Sequence, residues 1–225
     1  EDLMYRHWDK WHDYKYSHIF VMSKVNGAFS TPIDIMPNEK FDTPLNPFGG
    51  MEQITFSNDS KAIIYTCKKK SGKEYAISTN SQLYRYDIAT KKEGCITDKY
   101  AGSDVQPVFS NKGDLAWLSM KKNGFESDKN DIILRDKETK SDINLTKNID
   151  LTVSDFIFDS KGEKIYFKAV TEATYQLFEL DIKTKKHRQI TFGQHNYTSL
   201  QLAGKNLIGT RQDMNHPNEL FMVNI

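Results

Sequence analysis

Residues Pro107–Thr146 read PVFSNKGDLAWLSMKKNGFESDKNDIILRDKETKSDINLT. Short apolar runs alternate there with clusters of Gly, Asn, Asp and Ser. PVFS leads into the turn SNKGD, and LAWLSM is apolar on both faces. A polar loop holding Gly124, Glu126, Asp128 and Asn130 follows, then IILRD, the turn DKETK, and a short strand closing at Leu145-Thr146. Such runs favour strand, and the residues between them supply positive-φ and side-chain-to-backbone turn chemistry. The stretch predicts four strands.

The unit recurs on both sides. Phe56 in TFSNDSKAIIY, Phe109 in VFSNKGDLAWL and Phe158 in IFDSKGEKIYF hold one place, at spacings of 109 − 56 = 53 and 158 − 109 = 49. Asp87, Asp136 and Asp181 each open a D-x-x-T-K turn (DIATK, DKETK, DIKTK). A Thr closes the next strand ten residues on each time, at Thr97, Thr146 and Thr191. Four short strands per unit at this period are the sequence form of a β-propeller blade. The expected fold is an all-β propeller, present as three complete blades with partial blades at both ends.

A chain of 225 residues with 38% hydrophobic and 12% aromatic content is sufficient for packed sheets and too apolar for disorder. Lys plus Arg at 31 against Asp plus Glu at 30 leaves no field to recruit nucleic acid or acidic lipid. The clusters Lys68–Lys70, Lys91-Lys92 and Lys185-Lys186 fall at strand ends and turns, where lysines solvate sheet edges. No window approaches the ~20 apolar residues of a membrane span, so no membrane insertion is expected. Cys67 lies in the second strand of its blade and Cys95 in the fourth. Two strand spacings put their backbones ~9–10 Å apart, beyond the ~7 Å limit for a disulfide. Both are expected as free thiols, Cys67 as core filler.

In chain order, 1–18 occupies the loop before a third-strand equivalent, and 17–36 supplies third and fourth strands joined by a lengthened turn. Glu39–Gly50, ending NPFGG, connects to the complete units at roughly 51–98, 105–146 and 154–191, and 199–225 restarts the pattern. The whole is read as one propeller domain or fragment. The ragged ends either combine into a small closed ring or mark a piece of a larger propeller, and the duplicated third strand favours the second. Open edges would then be expected to pair, giving a homodimer. Turns joining strands one to two and three to four are short and stereotyped and share one face. The opposite face carries Arg6–Tyr16, Asn46–Gly50, Ser71–Ser81 and Asn123–Asn130, and variable loops on a repetitive scaffold are where binding sits.

No G-x-S-x-G elbow, Walker loop, HExxH or EF-hand sequence occurs in the chain. His7 and His12 lie in one loop with Asp9 and Asp13, but the set reads as hydrogen-bonded loop residues rather than metal ligands. A propeller hydrolase with a channel metal would need inward His or carboxylates from several first strands, and TFS, VFS and IFD offer almost none. No metal or other cofactor is expected. Glu74 and Glu126 read either as loop-capping residues or as carboxylates facing a channel. Trp8 and Trp11 pin their loop or form an apolar wall.

RHWDKW followed by SHIFVM, then PFGG, KEYAISTNSQLYRYD and WLSMKKNGFESDKNDI, together resemble the propeller of the prolyl oligopeptidase family, in its bacterial dipeptidyl-peptidase and acylaminoacyl-peptidase branch. The resemblance implies a seven-bladed propeller capping an α/β-hydrolase domain of the same parent protein, whose Ser, Asp and His cleave short peptides. It also implies a periplasmic or envelope location. This sequence lacks the hydrolase segment, and the family's S-P-D-G-K blade turn stands here as SNDSK, SNKGD and DSKGE. The expected function is therefore the non-catalytic gating domain of a serine exopeptidase, not an enzyme by itself. Glu74 and Glu126 are the candidate receptors for a peptide's amino terminus, and Tyr75, Arg6 and Trp8 the candidate wall or carbonyl contacts. The alternative is a TolB-type propeller acting as a binding or scaffold protein.

Overall fold

The computed structural model describes residues 13–225, together with the backbone of Arg6–His7 and Lys10–Trp11. Three four-stranded sheets carry the strands in sequence order. The first complete blade is Ile54–Phe56, Ala62–Cys67, Gln82–Asp87 and Glu93–Cys95. The second is Asp104–Phe109, Leu115–Ser119, Asp131–Arg135 and Asp142–Asn144. The third is Val153–Phe158, Lys164–Thr171, Thr174–Asp181 and His187–Gln189. This antiparallel meander is the propeller blade that the repeat predicts.

The repeated motif has a local cause. In each D-x-x-T-K turn the Asp carboxylate accepts the Thr backbone N–H and hydroxyl, at 2.6–2.9 Å in all three copies. Lys91, Lys140 and Lys185 each take the left-handed conformation, at φ 56°, 57° and 58°. The Thr ten residues after each Asp is buried, and its hydroxyl accepts the backbone N–H of Leu83, Ile132 or Leu177 in the third strand at 2.8–2.9 Å. Turn and strand closure are thus both satisfied by side chains, which is why the spacing is invariant.

Second strands form the core. Every residue of Ala62–Cys67 and of Leu115–Ser119 is buried. Cys67 and Cys95 are free, Cys67 buried and Cys95 half-buried; opposite Gln82 and Tyr84 respectively, they sit at different levels of the sheet. At the N-terminal side, Phe20–Val21 pairs with Ile33–Asp34, and a second tier, Lys24–Val25 with Ala28–Phe29, is closed by Asn26 and Gly27 at φ 51° and 85°. The longer turn is therefore a hairpin extension. Ile19, Ile35 and Met36 of this partial blade pack with Ile63, Tyr65, Cys67, Tyr84 and Tyr86. At the C-terminal side, Asn196–Tyr197 and Gln201–Ala203 both pair with Asn206–Gln212, whose other edge takes Glu219–Asn224.

Three expectations are corrected. The segment Ser71–Ser81 is not simple loop: Gly72–Ile77 forms an α-helical turn. The second-to-third connection of the third blade is not long, because Glu172 and Ala173, at φ 48° and 61°, close a two-residue hairpin whose twist matches the strands. Nor is Arg6–Tyr16 loop throughout, since Arg6–His7 and Lys10–Trp11 pair as two short strands.

The chain forms two compact units, 1–107 with 120–128, and 108–119 with 129–225. No helix among the described residues is long and apolar enough to cross a membrane.

Candidate functional site

The candidate residues that the structure describes belong to the first unit, and the element that organises them is the buried strand Ala62–Cys67. Three lysines follow it. Side chains alternate along a strand, and that alternation persists past Cys67. Lys69 turns to the face of Tyr65 and Cys67, where its Nζ lies 2.9 Å from Glu39 Oε1, 2.6 Å from Glu93 Oε1 and 4.6 Å over the Tyr84 ring. Burial opposes the ammonium there, and the hydrogen bonds to Glu93 and Glu39 outweigh it, leaving Lys69 more basic than usual. The Tyr65 hydroxyl donates to the other Glu93 oxygen, and burial with that bond drives the phenol well above its ordinary range.

Lys68 and Lys70 turn the other way. Lys70 Nζ is 2.7 Å from Glu74 Oε1, an i,i+4 pair across the helical turn. Lys68 Nζ sits 4.3 Å over the Tyr75 ring. Burial lowers the Lys68 ammonium; the negative charge of Glu126 counters that, and Lys70 reinforces it. The phenol of Tyr75 is raised by burial and by the nearby charge of Asp42. Glu74 and Glu126 are both exposed.

Glu126 arrives on the 120–128 loop, which is tied to the 71–80 segment. Asn123 Oδ1 accepts the Ser78 hydroxyl at 2.8 Å and the Thr79 backbone N–H at 3.0 Å. The Gly124 N–H donates to Thr79 Oγ1 at 2.9 Å. Within the loop, Asp128 Oδ2 accepts the N–H groups of Lys121 and Lys122. At the loop's base the Met120 N–H donates to the Ser103 carbonyl at 2.8 Å. Gly102 lies so close that a Cβ there would stand 2.2 Å from the Met120 carbonyl oxygen. Asn80 Nδ2 reaches the carbonyls of Tyr100, Ala101 and Gly102 from the other side.

Glu74, Tyr75 and Glu126 are thus brought into one neighbourhood, with Lys68 among them. Arg6 lies in a two-residue strand opposite Trp11, and its side chain, like all of Trp8, lies outside the described residues. Sequence reasoning missed Lys68, Asn123 and the Glu39–Lys69–Glu93 triad. Carrying the strand alternation past Cys67 separates Lys69 from its neighbours; nothing local marks Asn123. Two exposed carboxylates beside an aromatic face suit a cationic group, and an ammonium entering at Glu74 would displace Lys70. Among the described residues no group of three or more His, Cys, Asp or Glu is placed to hold a metal.

No family model matches the chain. It is 36% identical over 226 aligned positions to dipeptidyl-peptidase 5 of Porphyromonas gingivalis, covering 99% of this chain and 33% of that protein. The chain is a homologue of dipeptidyl-peptidase 5. It spans about a third of the length of that dipeptidyl-peptidase 5 relative. Among solved structures it is similar to the β-propeller domain of the Trilobed protease from Pyrococcus furiosus, with a TM-score of 0.55 and 14% identity over 78% of this chain and 53% of that one. It is also similar to TolB from Acinetobacter baumannii, with a TM-score of 0.55 and 15% identity over 92% of this chain and 48% of that one. At such identities the two structures speak for the fold alone. The fold of this dipeptidyl-peptidase 5 homologue is a β-propeller of four-stranded blades, complete in three and partial at both ends.

Proposed function

We propose that this chain is the non-catalytic propeller of a serine exopeptidase of dipeptidyl-peptidase type, located in the cell envelope, and that it gates and orients short peptides for an α/β-hydrolase domain of the same protein. The observation that carries the reading is the 36% identity to dipeptidyl-peptidase 5 along 99% of the chain. In this reading the nucleophile belongs to the hydrolase domain, which is in keeping with a sequence of 225 residues that holds no G-x-S-x-G. The TolB likeness reflects shared architecture at 15% identity and favours no separate scaffold role.

Orientation is assigned to the carboxylates beside Lys68. A peptide's free amino terminus is an ammonium, and a carboxylate receives it through a charge-assisted hydrogen bond contributing about 1.5–3 kcal/mol. Glu126 is the stronger candidate because Glu74 is already held by Lys70 at 2.7 Å. Tyr75, seated under Lys68, supplies an apolar wall. In the full-length protein, Glu126→Gln is expected to lower kcat/KM for a free-amine dipeptidyl substrate about ten- to a hundredfold, with a smaller effect on its N-acylated counterpart. Glu74→Gln serves as the comparison. Equal loss on both substrates, or no loss at either position, removes the amine-receptor assignment.

A further inference from the structure

We infer that Asn123 is a positioning residue for the amine site, clamping the loop that carries Glu126 onto the 71–80 segment of the preceding blade so that Glu126 is held near Lys68. This rests on Glu126 being the amine receptor.

The clamp has an unusual economy of donors and acceptors. Asn123 contributes one atom, Oδ1, and that atom takes two hydrogens from consecutive residues, the Ser78 hydroxyl and the Thr79 amide. The next residue reverses the polarity, with the Gly124 amide donating to Thr79 Oγ1. Gly124 takes φ 76°, a left-handed conformation that turns the chain after the clamp toward Phe125 and Glu126. The clamp thus has three bonds, crosses 44 or 45 residues of chain and lies two to three residues from Glu126. Glu74 does not depend on it, because its partner Lys70 lies only four residues before it on the same segment of chain. The clamp therefore acts selectively on one of the two carboxylates.

An exposed carboxylate on an unclamped loop samples many positions, and a receptor must be held close to one geometry to discriminate between substrates. Because only the Oδ1 acceptor of Asn123 is used, an aspartate at 123 preserves all three bonds and an alanine removes two of them. The test compares Asn123→Ala, Asn123→Asp and Thr79→Val in the full-length protein, each assayed with free-amine and N-acylated forms of one peptide. Thr79→Val attacks the clamp from the opposite loop, removing the Gly124 acceptor while keeping the Thr79 amide. Asn123→Ala and Thr79→Val are expected to lower the free-to-acylated ratio of kcat/KM about three- to tenfold, chiefly through KM. Asn123→Asp is expected to restore the ratio. Amide exchange at Thr79 and Gly124 should quicken in Asn123→Ala while Tm holds. The inference is overturned if both substrates fall together, if the ratio is unchanged in both disrupting variants, or if Asn123→Asp behaves as Asn123→Ala. Glu126→Gln in the same assay separates the failures: if it changes the ratio and the clamp variants do not, the clamp alone is wrong; if it does not, the receptor assignment falls with it.

Discussion

Asp136 shows how much one side chain does in this fold. Its Oδ1 accepts the amides of Glu138 and Thr139 and the hydroxyl of Thr139, at 3.0, 2.6 and 2.9 Å. Those bonds, the Thr139 amide foremost, hold the carboxyl below its ordinary value of 3.8. The folded chain therefore binds this proton more weakly than the unfolded chain. The resulting stabilisation is complete above 3.8 and is lost as pH falls through the depressed folded value. Asn at this position keeps an amide oxygen for the same donors but does not titrate. The urea midpoints of the native chain and Asp136→Asn should differ most near neutral pH and converge in acid. A gap that is constant with pH would show that the charge on Asp136 is irrelevant to the turn. Asp87 and Asp181 accept the amide and hydroxyl of Thr90 and Thr184 in the same way, and those bonds lower them too. All of this was legible in the sequence, because donor and acceptor lie within three residues of each other.

Among the elements, the hairpin Lys164–Thr171 with Thr174–Asp181 is the longest paired ladder, running without interruption from Lys164↔Asp181 to Thr171↔Thr174. Its turn is made by Glu172 and Ala173, neither of which favours positive φ. A left-handed non-Gly residue costs about 1–2 kcal/mol, and glycine's extra unfolded entropy returns about half of that. Ala173→Gly should therefore stabilise the chain by about 0.5–1 kcal/mol, read as a higher urea midpoint. A lower midpoint would mean that the Ala173 methyl group makes packing contacts worth more than the backbone strain. The sequence hid this turn because E-A is not a turn signal; the strands on either side impose it. The helical turn Gly72–Ile77 was hidden for a similar reason, since Gly72 at its start reads as a breaker.

At the scale of the whole chain, both terminal sheets leave large apolar side chains in water. Phe20 is 59% and Phe29 65% exposed on the two tiers of the N-terminal hairpin, and Leu220 is 72% and Met222 67% exposed on the C-terminal sheet. The outer edge of Glu219–Asn224 also carries backbone groups that its sheet does not pair. Sheets of this kind associate edge to edge or face to face. The 225-residue chain alone should self-associate in light scattering, and Leu220→Lys with Met222→Lys should shift it toward monomer. A monomer across a wide concentration range for the native chain would count against any role for these faces in assembly.

The sequence by itself determined the blade: strand number, the order of strands in the sheet, the D-x-x-T-K turns and the Thr that closes each fourth strand. Those features rest on hydrogen bonds between residues 3 to 14 apart, and a repeat displays them three times over. It also placed Glu74, Tyr75 and Glu126 on the loop side of the blades. Only the tertiary structure decided what those residues meet. Lys69 reaches Glu39 across 30 residues and Asn123 reaches Ser78 across 45. A strand pattern of period two says which face a side chain takes, but the partner comes from how one sheet stacks on the next. Stacking is set by the shapes of whole buried faces, which no single segment of the chain carries.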